Sequence, residues 1–350
     1  MLTERLPKAV LFLLFPAAIL LVGALAVCAQ SGDSLVSGPA PKEAPAALKV
    51  WVGEYGPDGP TESTVAEKDG TLIAFGEALG TCTVTDLSAA ALPLHCSRAQ
   101  GASLVKEAGG VPLLRTATGS FPQRDLGVDH SQVARIHPVR PVAELRSEAL
   151  RASPPEEKGP FRKTDLVELG PLDHTIHLDI RYATSDDFLG TPVYTEARAF
   201  LQRPAAEALL AAHHKLARVG YGLLIHDAYR PWYVTKIFWD ATPAEGKIFV
   251  ADPSQGSRHN RGCAVDLTLY DLRTGKPVEM PGRYDEMSRR SYANYAGGTS
   301  LERWHRDLLR RAMESEGFTV YEFEWWHFDY RDWREYAIEN TPFENLVPAR

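Results

Sequence analysis

Short runs of alternating apolar and polar residues, separated by turn signals, begin near residue 47. Leu48–Val52 alternates, and the turn signal Asp69-Gly70 precedes the apolar run Thr71–Phe75. Further runs of this β type lie at 81–85, 103–106 and 112–116. Short strands at spacings of roughly ten residues with glycine turns are typical of a small antiparallel sheet or barrel. We therefore expect a small all-β domain over 47–141, and its lack of a titratable cluster favours binding or spacing over chemistry.

Helical periodicity appears further along the chain, interleaved with strand-like runs. Apolar residues at helical spacing predict a helix over 205–218, which Pro204 opens and Gly220 ends. The same argument predicts helices over 233–239 and 301–316. Strand-like runs lie at 178–182, 223–225, 263–269 and 318–330, with a hairpin turn at Thr274-Gly275. This pattern predicts an α+β class, in which a mostly antiparallel sheet is flanked by helices.

The first 29 residues have the pattern of an export signal. Arg5 and Lys8 give a positive start, and 9–27 is almost entirely apolar. Three outcomes stay open: cleavage after Ala29, lipidation of Cys28, or retention as a membrane anchor, since the run approaches the shortest bilayer spans. The bulky residue before the cysteine favours soluble export. We expect an exported protein of the periplasm or cell envelope that meets the membrane only through this N-terminus.

Composition shifts divide the rest of the chain. Residues 30–46 are rich in Ser, Gly, Pro and Ala, which is typical of a disordered linker. Residues 142–165 are charged and contain prolines, which indicates a second linker. The length of 350 residues suits two domains of roughly 100–200 residues each. The predicted organisation is a signal at 1–29, a linker, the β domain, a linker and a catalytic domain at 166–345.

The net charge of −7 and the pI near 5.9 come without any basic block. This composition argues against nucleic acid as a partner.

Three cysteines follow the predicted signal. Cys82 and Cys96 both lie in the β region, and export implies an oxidising compartment. A disulfide between them and a pair of buried free thiols are both compatible with the sequence. We interpret Cys263 as a small buried apolar residue.

Two motifs carry the chemistry of the chain. Ser257–Asp266 follows the pattern S-x-H-x-x-G-x-A-x-D, and Glu324–His327 is Glu-Trp-Trp-His. Together they offer two imidazoles and one carboxylate as metal ligands, on His259, Asp266 and His327. A catalytic zinc site uses three protein ligands and keeps one position for water. The remaining carboxylate, Glu324, can take a proton from that water.

Arg230 is the candidate for stabilising negative charge. It lies in the segment Asp227–Pro231 after a predicted strand, and its permanently charged fork of donors suits a developing oxyanion. Positions three apart on a regular strand face opposite ways, so the segment from Glu324 to His327 must twist, bulge or begin a turn, or else the zinc lies beyond the edge of the strand. Each of these residues taken alone is commonly structural, but their joint occurrence favours the metal site.

These motifs resemble those of the VanX-type D-alanyl-D-alanine dipeptidases, within the wider group of zinc D,D-peptidases. The resemblance runs from about Leu178 to about Tyr330 and includes Arg181–Thr184, Gly220–Leu224, Asp227–Pro231 and Asp266–Tyr270. It implies one zinc ion per chain, bound by His259, Asp266 and His327. In the same way it implies that Glu324 is the catalytic base and that Arg230 stabilises the transition state. It also implies that Asp285 binds the substrate ammonium and that Tyr182 and Ser257 line the substrate pocket.

The resemblance implies an exported zinc dipeptidase that hydrolyses D-Ala-D-Ala or similar D,D-dipeptides in cell-wall peptide turnover. Two features depart from the resistance-type members: the export signal with its β domain, and Asp187 in place of an asparagine. One alternative is a zinc D,D-carboxypeptidase acting on peptidoglycan stem peptides, although a longer substrate has no ammonium for Asp285. Another is a non-catalytic wall-peptide binding module with structural zinc, although a closed structural site needs no base such as Glu324.

Overall fold

The computed structural model describes residues 35, 38–57, 63–107, 109–124 and 135–346. The predicted export signal, including Cys28 and Ala29, lies outside the described residues. Within the described part of the chain, no helix is long and apolar enough to span a bilayer.

Eight antiparallel strands, each paired with the next in sequence, form the N-terminal sheet. The strands are β1 Gly53–Tyr55, β2 Ser63–Lys68, β3 Thr71–Gly76, β4 Gly80–Val84, β5 Leu92–Cys96, β6 Ser103–Lys106, β7 Pro112–Thr116 and β8 Gly119–Pro122. The last strand returns to the first, because Gly56 N donates to Pro122 O at 3.1 Å and Arg124 N donates to Glu54 O at 2.7 Å. The meander therefore closes into a barrel, which supports the all-β expectation for this stretch.

The barrel interior is filled by its own apolar cluster, whose buried members include Trp51, Tyr55, Val65, Leu72, Leu104 and Leu114. Helix α1, Ala46–Lys49, precedes the barrel and adds Leu48 to this cluster. Cys82 and Cys96 face each other on β4 and β5 and form a disulfide with an S–S distance of 2.11 Å. Of the two alternatives that the sequence leaves open, the structure has the disulfide.

A second sheet of five strands lies in the C-terminal part of the chain. Its strands are β10 His177–Leu178, β12 Tyr221–Asp227, β13 Ala264–Asp271, β14 Phe318–Tyr321 and β15 Glu324–Tyr330, and they lie side by side in the order β10-β12-β13-β15-β14. A separate two-stranded sheet pairs β9 Leu166–Glu168 with β11 Phe200–Gln202. The β10–β12 pair is parallel, and the other three pairs of the five-stranded sheet are antiparallel. The predicted α+β class with a mostly antiparallel sheet is confirmed.

Five helices accompany these strands: α2 Val142–Ala149, α3 Leu169–Leu172, α4 Arg203–Ala217, α5 Trp232–Ala241 and α6 Ser300–Glu314. Pro204 lies in the first turn of α4, where its missing N–H has no helical partner to lose. Thr299 and Glu302 form a capping box at the start of α6. The three helices predicted from the sequence correspond to α4, α5 and α6 and differ only at their ends.

Two of the predicted strands differ from the structure. The run 178–182 is a strand only at its start and continues as a 3₁₀ turn at Arg181–Ala183. The run 318–330 is a hairpin of β14 and β15, joined by the two residues Glu322 and Phe323. This turn contains no glycine, proline or asparagine. Instead, the Phe323 ring packs edge-on against the ring of Tyr321.

The stretch 142–165, interpreted from the sequence as a linker, contains helix α2. Its Val142, Leu145 and Ala149 form an apolar stripe that is buried in the larger of two apolar clusters. That cluster also holds the inner faces of α4, α5, α6 and the five-stranded sheet. The barrel and this part of the chain belong to one compact unit, and the domain boundaries drawn from the sequence stay a prediction.

Candidate metal centre

Gly262, whose backbone lies in the left-handed region, brings His259 next to Asp266. His259 lies on the 3₁₀ turn His259–Arg261, and Gly262 has φ +64° before the chain enters β13. A Cβ atom at Gly262 would lie 2.4 Å from Leu166 Cδ2, so the position requires glycine on two grounds. The chain turns sharply there, which places the imidazole beside the carboxylate of β13.

His327 reaches the same place across the sheet. It pairs directly with Asp266 in the register of β13 and β15. Tyr321 pairs with Glu324 and Val320 with Phe328, so β15 bulges between these pairs. The bulge brings Glu324 Oε2 to 3.6 Å from His327 Nδ1. The expected departure from regular strand geometry is therefore present.

The three candidate ligands form a nearly equilateral triangle of donor atoms. His327 Nδ1 lies 3.1 Å from both His259 Nε2 and Asp266 Oδ1, and the latter two atoms are 3.3 Å apart. Tetrahedral zinc with bonds of about 2.0–2.1 Å separates its ligand atoms by about 3.3 Å. Two nitrogens and one carboxylate oxygen also match the donors of catalytic zinc. The residues fit a bound metal ion, and zinc in particular.

Outer contacts orient each of these ligands. His259 Nδ1 donates to Ala228 O at 2.6 Å, which directs Nε2 toward the centre. His327 Nε2 lies 2.9 Å from Asp329 Oδ1, and the Tyr284 hydroxyl donates to Asp266 Oδ2 at 3.2 Å. The sequence motifs gave no role to Asp329 or Tyr284. Asp329 was detectable, because residues two apart on a strand face the same side.

The surroundings of the centre shift the pKa values of Glu324 and Asp266 in opposite directions. Burial raises the pKa of Glu324 to about 7, and repulsion from Asp266 adds to this shift while His327 opposes it. Burial also opposes ionisation of Asp266, but the two imidazoles outweigh it and hold the pKa of that carboxyl below its usual range. One carboxylate is thus kept charged for a cation, and its neighbour is poised to exchange protons near neutral pH.

Arg230 is fixed at the wall of the site by Asp227. Its Nε and Nη2 donate to Asp227 Oδ2 at 2.9 and 2.8 Å, and its guanidinium stacks on the rings of Tyr182 and Phe238. Asp227 also accepts a hydrogen bond of 2.6 Å from the Tyr194 hydroxyl. Asp227 belongs to the same sequence motif as Arg230, but the motif alone did not indicate its role.

A cavity of about 130 Å³ opens over the donor atoms. The Tyr182 hydroxyl lies within hydrogen-bond distance of both carboxylate oxygens of Asp285, 2.9 Å from Oδ2 and 3.1 Å from Oδ1. Ser257 Oγ accepts a hydrogen bond from His259 N at 3.2 Å. Burial, followed by repulsion from Asp266, raises the pKa of Asp285 well above its usual range. The structure brings all eight candidate residues to the lining of this cavity: Tyr182, Arg230, Ser257, His259, Asp266, Asp285, Glu324 and His327.

Three metal-ligand candidates with an additional carboxylate beside them are the arrangement that metal-dependent hydrolases use. Comparison with known proteins agrees with this class. The family described as D-ala-D-ala dipeptidase, Peptidase_M15, matches residues 162–345. The chain belongs to this family of metallopeptidases, as its motifs predict.

Individual relatives agree with the family match. The D-alanyl-D-alanine dipeptidase of Enterococcus faecium is 38% identical over 185 residues, which cover 47% of this chain and 90% of the relative. The protein of that name from Escherichia coli K12 is 34% identical over 184 residues, covering 53% and 94% respectively. The protein of that name from Streptomyces coelicolor is 34% identical over 186 residues, covering 48% and 92%.

Proposed function

We propose that this chain is a zinc-dependent dipeptidase that hydrolyses D-alanyl-D-alanine or similar D,D-dipeptides. The observation that carries the proposal is the meeting of the His259, Asp266 and His327 donor atoms with the carboxylates of Glu324 and Asp285 in one cavity. The names of the relatives support the choice of substrate.

Zinc held by the three ligands would supply a Lewis acid for the scissile carbonyl and would lower the pKa of a water molecule. Glu324 takes the proton of the attacking water and then passes it to the leaving amine. Its Oε2 lies 3.6 Å from His327 Nδ1, beside the centre, but Glu324 is not among the residues whose donor atoms all lie within 4.8 Å of one another. That position favours a catalytic site over a closed structural one.

Arg230 and Asp285 act on the two charges of the reaction. Asp227 and the flanking rings hold the Arg230 guanidinium in place, so its donors need little reorganisation as the oxyanion develops. Asp285 pairs with the ammonium of the dipeptide, which a partly dehydrated pocket would otherwise leave unpaired. A longer peptide offers an amide there, and this favours a dipeptidase over a carboxypeptidase.

Alanine release from D-Ala-D-Ala, compared with release from a tripeptide that ends in D-Ala-D-Ala, tests the proposal. We expect cleavage of the dipeptide and little cleavage of the tripeptide. Preferential cleavage of the tripeptide would support the carboxypeptidase alternative, and cleavage of neither compound would support the binding module.

The base assignment has its own test. Glu324→Gln should lower kcat by about 10²–10⁴, the usual contribution of a positioned acid–base group, and should leave the zinc content intact. Loss of the metal in this variant would instead make Glu324 a ligand.

We also propose that the chain is exported to the periplasm or cell envelope and acts in cell-wall peptide turnover. The positive start at Arg5 and Lys8 and the apolar run that follows support this proposal. Mass spectrometry of the protein from its native host should find a mature N-terminus at Gln30. An acylated Cys28 would replace soluble export with lipid anchoring.

A further inference from the structure

A buried carboxylate of the barrel bonds to the catalytic part of the chain. Glu54 on β1 has only 3% of its surface exposed and accepts hydrogen bonds from the Tyr295 hydroxyl and, at 2.7 Å, from the Thr64 hydroxyl. Burial and the Glu54 charge raise the pKa of Tyr295 well above its usual value. The Tyr295 hydroxyl therefore stays protonated and donates a hydrogen bond to the Glu54 carboxylate of the barrel.

A second contact lies next to the first. Ser300 N, in the first turn of α6, donates to Glu67 Oε2 at 2.8 Å, and Glu67 N donates to Gly298 O at 3.1 Å. Arg303 Nη2 adds a bond of 2.7 Å to the Glu67 carbonyl. A carboxylate at a helix N-terminus is favourable because the helix dipole and the free N–H groups face it. Two buried acidic residues of the barrel thus hold the chain from Tyr295 to Ser300.

The segment 281–299, which these contacts hold at its end, carries Asp285. The buried Glu286 organises the first half of this segment. Its carboxylate accepts from Arg283 N at 3.0 Å and from Ser288 Oγ at 2.6 Å, and it lies 3.2 Å from Arg290 Nε. Hydrogen bonds continue along the segment, because Ser291 Oγ donates to Glu286 O, Tyr292 N donates to Arg289 O at 3.2 Å and Tyr295 N donates to Tyr292 O at 3.0 Å. A chain of polar contacts therefore runs from the barrel along the segment to the residue next to Asp285.

Asp285 requires such support because of its backbone. Its φ of +56° is in the left-handed region, which is uncommon for residues other than glycine. Backbone of this kind persists when the surrounding structure over-determines it. The position of the carboxylate at the Tyr182 hydroxyl depends on this conformation.

We infer that the barrel is a positioning element of the active site, in which Glu54, through Tyr295, fixes the segment that presents Asp285 to the cavity. Neither Glu54 nor Tyr295 lines the cavity, so both act through Asp285. The inference rests on the proposed role of Asp285 as the partner of the substrate ammonium.

Removal of one hydroxyl tests the inference. Tyr295→Phe in the full-length protein should raise KM for D-Ala-D-Ala roughly tenfold, because small misplacements of a binding group are costly, while kcat and zinc content change little. Glu54→Gln, which keeps an accepting oxygen, should change KM in the same direction by a smaller factor. The matched control is Tyr292→Phe, in the same segment, where the ring packs against Phe323. The control should leave KM unchanged.

A double-mutant cycle separates positioning from a general structural role. In an Asp285→Asn background, Tyr295→Phe should change kcat/KM by less than about twofold, since its effect passes through Asp285. A second full tenfold loss in that background would overturn the inference.

Hydrogen exchange provides a measure that is independent of activity. Backbone amides of 283–290 should exchange faster in Tyr295→Phe than in the parent protein. Unchanged exchange would overturn the inference. If the parent protein does not cleave D-Ala-D-Ala, the proposed function fails, whereas faster exchange in 283–290 still supports bracing by the barrel.

Discussion

Asp187 carries a buried carboxylate with an incomplete set of hydrogen-bond partners. The residue is 0% exposed, and its Oδ1 accepts from Leu189 N at 2.8 Å and from Thr191 N at 3.3 Å. Its Oδ2 has no hydrogen-bond partner among the described residues. Burial raises the pKa of this carboxyl from 3.8 to about 6. At neutral pH the folded protein therefore contains a poorly compensated charge.

The direction of the pKa shift determines whether ionisation of Asp187 stabilises or destabilises the folded protein. Because the folded-state pKa is raised, ionisation favours the unfolded chain, and the cost grows from pH 3.8 to about pH 6 and is constant above it. A shift of this size corresponds to about 3 kcal/mol. Asp187→Asn removes the charge and keeps the accepting oxygen, but its amide N–H groups stay unpaired. We expect a net gain of about 1–2 kcal/mol near pH 7.5. Near pH 5 the ionisation cost is only about half as large while the cost of the unpaired amide is unchanged, so the net change there should be close to zero.

Thermal unfolding of the parent and of Asp187→Asn at these two pH values measures the gain. The unfolding midpoint should rise by about 3–6 °C near pH 7.5 and by less near pH 5. The matched control is Asp186→Asn, whose exposed carboxylate pairs with Arg181, and it should bring no gain. An equal gain at both pH values, or a loss near pH 7.5, would refute the assignment to ionisation.

Three further predictions follow from the site and the barrel. His259→Ala should lose zinc, because two ligands remain, and metal analysis that finds a full equivalent would contradict the ligand assignment. Asp285→Asn should strongly impair cleavage of D-Ala-D-Ala at unchanged zinc content, and N-acetyl-D-Ala-D-Ala should be a very poor substrate of the parent; equal cleavage of the two compounds would favour the carboxypeptidase. Joint replacement of Cys82 and Cys96 by alanine should lower stability by about 3 kcal/mol, given the sequence separation of 14 residues, and an unchanged unfolding midpoint would contradict this.

The sequence was sufficient to place His259 beside Asp266 because the geometry of that pair is local. Gly262 allows the sharp turn between His259 and β13, and the short spacing to Asp266 leaves the chain few alternatives. The facing rule for strands also indicated that a regular strand could not bring both Glu324 and His327 to the site, and a bulge was one of the departures that it left open. Geometry of this kind is encoded within ten residues or so of the motif, where pattern arguments are strongest.

Long-range contacts could not be predicted in this way. Nothing in the periodicity of β1 and β8 indicates that they meet, and the Glu54–Tyr295 contact joins residues 241 positions apart. Helix α2 was hidden because its apolar stripe is short and lies between charged residues. The hairpin at Glu322-Phe323 was missed because aromatic packing replaces the usual turn residues.

Closure of the barrel determines where the chain can be shortened. Strand β1 has three residues, yet it pairs with β2 on one side and meets the segment after β8 on the other. A truncation that begins just after Tyr55 would give β2 and β8 exposed edges, and unpaired strand edges promote association between molecules. Shortened forms of this enzyme are therefore expected to remain soluble when they start before residue 46 or beyond the barrel, and to aggregate when they start within it.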